Sequence, residues 1–359
     1  MGGAFWRKLR GERARPLTAR ARLVRFTLRR VAAAVLLCIG ITFVAFVLTH
    51  LVPGDPAAAY LGDQGVEDAA AVAAFRHHYG LDKPVPEQYV IYLDHLVHGD
   101  LGESQQSHRP VLTDLRQYVP ASAELAITAG VIGAVVGISL GLLAAVFRDR
   151  WPDHLLRVIS LIGVSMPLFW LALVVFYIFF FKFGIAPGGG RLDPGLPPPP
   201  HVTGMYTVDA ALAGQWTTLR SALAHLVLPA LVLAAYAVGV LTRFTRASAL
   251  DVLGDDYIRT ARAKGLPGYV VILRHVFRPT LIGVLTVVGL MFGSLFSGAV
   301  LIETIFSWPG VGQYAYNSAI NLDLPAIMGV SLFIAVVYVV INFVVDVLYG
   351  VVDPRIRLQ

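Results

Sequence analysis

Six stretches of this chain stay apolar for long enough to cross a lipid bilayer, and this constrains its fold more than any other feature. They lie at 31–51, 121–147, 158–181, 224–241, 281–306 and 326–350. A helix of roughly 20 apolar residues spans a hydrocarbon core of ~30 Å. Lipid offers backbone groups no hydrogen bonds, so each stretch must satisfy its own as a helix. The expected fold class is therefore an all-α, polytopic membrane protein with six transmembrane helices. Only 14% of residues are charged, against about a quarter in a soluble chain.

The basic residues give the orientation. Residues 1–30 hold ten Lys and Arg and one acid, Glu12. Alternate connections are then rich and poor in Lys and Arg, as the positive-inside rule requires. Both termini are expected in the cytoplasm of a cell inner (plasma) membrane. The run at 31–51 is too long for a signal-peptide core, and Val52-Pro53-Gly54-Asp55-Pro56 is not a small-residue cleavage site, so a retained anchor is expected. The net charge of +6 sits beside the apolar runs and does not indicate nucleic acid. Cys38, the single cysteine, has no disulfide partner and no metal spacing.

The chain divides into a basic segment (1–30), a first span (31–51), a hydrophilic cap (52–120), a core of five spans (121–350) and a tail (351–359). In the cap, Tyr89, Tyr92, Leu93 and Leu96 recur at helical spacing, and Gly99-Asp100-Leu101-Gly102 reads as a turn. His77, His78, His95 and His98 lack a cysteine or carboxylate cluster, so no metal site is expected. Gly133, Gly137 and Gly141 form a stripe that admits close helix approach, and Gly289, Gly293 and Ser297 form another. Pro167 predicts a kink in the third span. Residues 186–200 read APGGGRLDPGLPPPP and predict an extended outer loop.

The largest late charged segment, 248–280, predicts a short capped helix. Asp255 and Asp256 suit a helix N-terminus, and Asp255 and Arg259 are spaced as an i,i+4 pair. Gly265 suits a left-handed end, and Pro267 blocks continuation. Tyr257, Ile258 and Ala261 share one face, suited to a cleft in a partner. An ordinary positive loop resting on anionic lipid fits these residues as well.

This segment, DYIRTARAKGL, resembles the coupling loop of dipeptide and oligopeptide permeases of ATP-binding-cassette importers. Val52-Pro53-Gly54-Asp55-Pro56, Gly80-Leu81-Asp82, Gly99-Asp100-Leu101-Gly102, Phe306-Ser307-Trp308-Pro309-Gly310-Val311-Gly312 and Asp353-Pro354-Arg355 extend the resemblance through most of the chain. It implies the type I importer permease fold, with a small external helical cap between helices 1 and 2. It also implies a non-catalytic subunit that takes up dipeptides or short oligopeptides. The implied partners are a second homologous permease in a heterodimer, two cytoplasmic ATPase domains and an external substrate-binding protein. Related permeases carry nickel, glutathione or haem. The chain lacks GxxxxGK[ST], so ATP and Mg are expected on the partner ATPases and no cofactor on this chain. A stand-alone channel or secondary carrier would need charge relays or inverted repeats, and neither is seen.

The ATPase-coupling residues are expected to be Asp256, Tyr257, Ile258, Arg259, Thr260, Ala261, Arg262, Ala263, Lys264 and Gly265. The loop 307–325 is expected to contact the binding protein or promote release through Trp308, Pro309, Gly310, Tyr314 and Tyr316; an interfacial aromatic belt is the other reading. Glu303, Asn342 and Asp346 are ionisable or polar groups in spans, expected to line the path or form a gate. No catalytic residue is expected.

Overall fold

The computed structural model describes residues 19–51, 68–78 and 80–352. The start of the basic segment, Val52-Pro53-Gly54-Asp55-Pro56 and Asp353-Pro354-Arg355 lie outside them. In chain order the helices are α1 (Ala19–Leu51), α2 (Ala69–His78), α3 (Val85–Val97), α4 (Val111–Val146), α5 (Trp151–Ser165), α6 (Leu168–Phe176, continuing as a π-helix through Lys182), α7 (Tyr206–Leu212), α8 (Trp216–Leu253) and α9 (Asp256–Ala263). A π-helical stretch, Val271–Val276, leads into α10 (Phe277–Ile305), followed by α11 (Val311–Ile320) and α12 (Leu324–Val352). Among the described residues the fold is all-α, with one isolated bridge between Glu103 and Pro110.

Four helical stretches are long and apolar enough to span a membrane, at Val111–Val146, Trp216–Leu253, Gly268–Leu295 and Leu324–Val344. The pair α5 and α6 makes a fifth if counted as one span, bent by 101°. The described apolar part of α1, Val35–Val47, is shorter than a span. The expected six spans therefore become four or five by length and composition among the described residues. Pro167 breaks the third run into two helices instead of kinking one. It offers no N–H to continue the ladder and disfavours helical geometry at the residue before it. That residue, Met166, is extended at φ −78°, ψ 131°.

Helix α8 is the hub, packed by α4, α5, α6 and α10. It is longer than the apolar run at 224–241 because its N-terminal end buries Thr218, Ser221 and His225. Polar residues of this kind fall below a hydropathy signal. The glycine stripe of α4 lies on α8 as expected. A Cβ on Gly133, Gly137 or Gly141 would come within 2.7, 2.7 and 2.5 Å of Ala237, Leu241 and Thr245, respectively. Glycine is required for that approach. In the second stripe Gly293 faces the Tyr338 ring of α12, while the side chain of Ser297 lies outside the described ones.

The cap helix α3 lies along α1. The Tyr89 hydroxyl donates to the carbonyl of Ile39 at 3.0 Å, and Phe46, Ala45 and Met328 pack with Tyr89 and Tyr92. Burial, with Tyr89 nearby as a lesser cause, pushes the Tyr92 phenol up to about 12. The Pro-rich segment has no helix over 183–205, as its composition predicts.

Candidate functional site

Helix α9 is built as its sequence suggests. Asp255 is the N-cap, although its side chain makes no capping hydrogen bond. The expected Asp255–Arg259 pair is replaced by Arg259 with Asp256, at 3.3 Å. At the other end Gly265 has φ +74°. Its N–H reaches the Arg262 carbonyl at 2.9 Å, and the Leu266 N–H reaches Ala261 at 3.4 Å. A left-handed glycine satisfies the last carbonyls this way.

The faces of α9 correct the sequence expectation. Ile258 and Ala261 are buried in the chain's own core, against Ala145, Ala249, Val271 and Val276. They anchor α9 to the C-terminal ends of α4 and α8 and are not available to a partner. Tyr257 is half-exposed and donates to the His275 carbonyl at 3.2 Å. Burial, and secondarily the Asp255 charge, raises its phenol. The surface left open consists of Asp256, Arg259, Thr260, Arg262, Ala263, Lys264 and Gly265. One turn further along α8, Arg246 grips Asp153 of α5 through two bonds at 2.6 and 2.8 Å.

The opposite end of the bundle carries a larger correction. Trp308 is 1% exposed, and its indole N–H donates to the Ala121 carbonyl at 2.9 Å. Tyr314 is also buried; it stacks on Tyr118 and donates to Asp114 at 3.2 Å. Neither offers the large contact area expected of it. Pro309 is half-buried, Gly310 is buried, and Tyr316 alone of the five is exposed. Glu303 explains the glycines. Its carboxylate accepts from Ser122 at 2.5 Å and from the Gln313 N–H at 3.0 Å. Ser122 in turn accepts from the Val311 N–H at 2.7 Å. Glu303 thus satisfies the start of α11, and a Cβ on Gly310 or Gly312 would collide with it.

Glu303 is therefore a fully buried structural link between α4, α10 and α11, not a free pathway carboxylate. Asn342 donates to Tyr338 of its own helix at 2.8 Å. It sits ~27 Å along α12 from that helix's start, so the structure does not bring it to Glu303. The side chain of Asp346 lies outside the described ones. Among the described residues, no group of three or more His, Cys, Asp or Glu could hold a metal ion.

Sequence reasoning missed the clamp on the Pro-rich segment. Arg191 donates to Glu124 of α4 at 2.6 Å and to the Gly204 carbonyl at 2.9 Å, and lies 3.5 Å over the Tyr206 ring. Glu124 also accepts from the Thr207 N–H and hydroxyl at 2.7 and 2.6 Å. A nearby turn closes on Asp209. Burial would raise that carboxyl, but bonds from Thr203, Gly204 and Val202 outweigh it and hold the group below its ordinary value. The available signal was an acid inside an apolar run and an arginine directly after three glycines.

Comparison with known proteins gives one consistent result. Residues 137–358 match the family described as binding-protein-dependent transport system inner membrane component. Residues 23–125 match the N-terminal part of such membrane components. The chain is 47% identical over 322 residues to the probable D,D-dipeptide transport system permease protein DdpB of Escherichia coli (strain K12), covering 90% of this chain and 94% of that relative. It is 40% identical over 335 residues to the dipeptide transport system permease protein DppB of Alkalihalophilus pseudofirmus, covering 93% and 100%. Among solved structures it resembles a chain of the inward facing MetNI methionine ABC transporter. There the TM-score is 0.52 and the identity 16%, over 67% of this chain and 97% of that one. That likeness concerns the fold.

Proposed function

The chain belongs to the binding-protein-dependent transport system inner membrane component family, and from that membership we propose that it carries dipeptides or short oligopeptides across the inner membrane. It is a non-catalytic permease subunit with the type I importer fold. The names of its relatives support the peptide cargo. We infer that it pairs with a second homologous permease, that two cytoplasmic ATPases bind ATP and Mg, and that an external binding protein delivers the peptide. The positive-inside pattern supports cytoplasmic termini and an inner position for α9.

The observation that carries the coupling role is the two-sidedness of α9. An apolar anchor, Ile258 and Ala261, fixes it to α4 and α8, while a charged face stays open. Such a helix transmits a push from an ATPase to the bundle, and alternating access follows from two stable arrangements of the spans. On the outside, where Trp308 and Tyr314 are buried, the contact we propose for the binding protein is Tyr316 with the tip 193–198. Asn342 and Asp346 remain proposed path or gate positions.

The test is reversal of charge on the open face, Arg259→Glu with Lys264→Glu, in the tagged permease expressed with its native partners. Loss of ATPase co-purification and of dipeptide uptake, at unchanged membrane level, is expected. Normal values for both would overturn the coupling role.

A further inference from the structure

The break between α5 and α6 lies midway along the bundle. The backbone of Gly163 abuts the Ala235 carbonyl, midway along α8, and Leu168 reaches Gly298 of α10 beside Leu233. Both neighbours belong to long apolar helices, so the break is at bilayer depth.

It leaves backbone groups without partners. Pro167 has no N–H to give the Gly163 carbonyl. The last bond of α5 runs from the Met166 N–H to Ile162, and the first of α6 from the Leu171 N–H to Pro167. The amides of Leu168, Phe169 and Trp170 open α6 and so have no acceptor within that helix. Ser165 and Pro167 are exposed on the chain's surface, and the Ser165 hydroxyl has no hydrogen bond among the described residues. Irregular backbone at this depth is not stable against lipid. It persists where it is covered by protein or lines water.

Resting on the peptide-permease reading above, we propose that the 163–170 break lines an aqueous stretch of the translocation path and hydrogen-bonds the main chain of the passing peptide. Orphan amides and carbonyls match a peptide's own carbonyls and amides, whatever its side chains. That is the chemistry a carrier of varied short peptides needs. A peptide must leave as readily as it arrives, so a few main-chain contacts suit it better than a charged pocket.

The experiment starts from the tagged permease with Cys38→Ala, co-purified with its native partners and placed in lipid vesicles. Ser165→Cys and Met166→Cys are made separately, with Val135→Cys as a comparison on an exposed apolar face of α4. Each is treated with a membrane-impermeant ionic thiol reagent, which needs a hydrated thiolate. At one or both break positions we expect labelling about tenfold or more faster than at Val135→Cys. We also expect saturating dialanine to slow that labelling at least about twofold with ATP and the binding protein present. Labelling no faster than at Val135→Cys in both variants overturns the inference. Fast labelling that dialanine does not slow overturns the peptide contact. Dialanine uptake by the Cys38→Ala parent is measured in the same vesicles. Its absence would refute the peptide reading itself, while the labelling still decides whether the break is wet.

Discussion

Replacing Arg191 by alanine should open the segment 186–215 without unfolding the bundle. The side chains of Arg191 and Glu124 are 6% and 2% exposed, so the mutation leaves a buried carboxylate facing an empty site. Removing one partner of a buried ion pair costs ~3–5 kcal/mol. The bond to Gly204 adds about 1 kcal/mol, and the guanidinium over Tyr206 adds about 2 kcal/mol. These contributions overlap, because one side chain makes them all. Two effects reduce the loss: Thr207 still gives Glu124 two bonds, and the Arg191 Nε is buried without a partner already. A net loss of ~3 kcal/mol is expected, which is on the order of a hundredfold in the opening equilibrium. It should be local, because α4 and α8 meet independently along the glycine stripe. Hydrogen exchange on the lipid-reconstituted permease reads this directly through the amides of Thr207, Asp209 and Ala213. Protection there should fall about a hundredfold while the middle of α8 is unchanged. Unchanged protection at Thr207, or equal loss throughout α4 and α8, would refute the reasoning.

Further outcomes follow from other contacts. Gly141→Ala should destabilise the permease by ~1–3 kcal/mol, because its Cβ meets the Thr242 carbonyl at 2.6 Å; Gly40→Ala, with nothing within 4 Å, should not, and thermal unfolding in detergent compares them. The lowered Asp209 carboxyl should stabilise the 202–213 turn fully above its ordinary value of 3.8 and lose that contribution as pH falls through the lower folded value; Asp209→Asn should abolish the acid dependence of proteolysis there. Asp153→Asn should loosen α5 from α8 by about 3 kcal/mol, and the exchange Asp153→Arg with Arg246→Asp should recover part of it in the same melting assay. Trp308→Phe should cost about 1–3 kcal/mol through the lost indole bond to the Ala121 carbonyl and the space left in the core, and leave binding-protein affinity unchanged; a selective loss of that affinity would restore Trp308 to the contact surface.

What could be read from the sequence was what local geometry encodes. The ends of α9 follow from Asp255, Gly265 and Pro267. The contact between α4 and α8 follows from glycines four apart. The partnerships that organise the end of the bundle away from α9 were hidden because they join distant positions with no shared period. Glu124 and Arg191 are 67 residues apart, and Ser122 and Glu303 are 181 apart. An aromatic residue in a polar loop also reads the same whether it faces solvent or, like Trp308, fills the core. The face of α9 was misjudged for a related reason. A stripe of Tyr257, Ile258 and Ala261 fits either a partner's cleft or the chain's own interior, and Ala145 and Ala249 supplied the interior.

The close contact along Gly133, Gly137 and Gly141 also limits how this molecule moves. Backbones that approach this nearly are keyed together like teeth. Sliding α4 past α8 by one residue would drive a side chain into a space that admits only hydrogen. Shear between them is therefore forbidden, and α4 and α8 must travel as a single body. The bending that any change of access requires falls to joints outside this pair. The turn at Gly254, where α8 hands over to α9, and the break at Met166 and Pro167, where α5 hands over to α6, are such joints. A crosslink across the glycine seam should leave transport intact, whereas stiffening either joint should stop it.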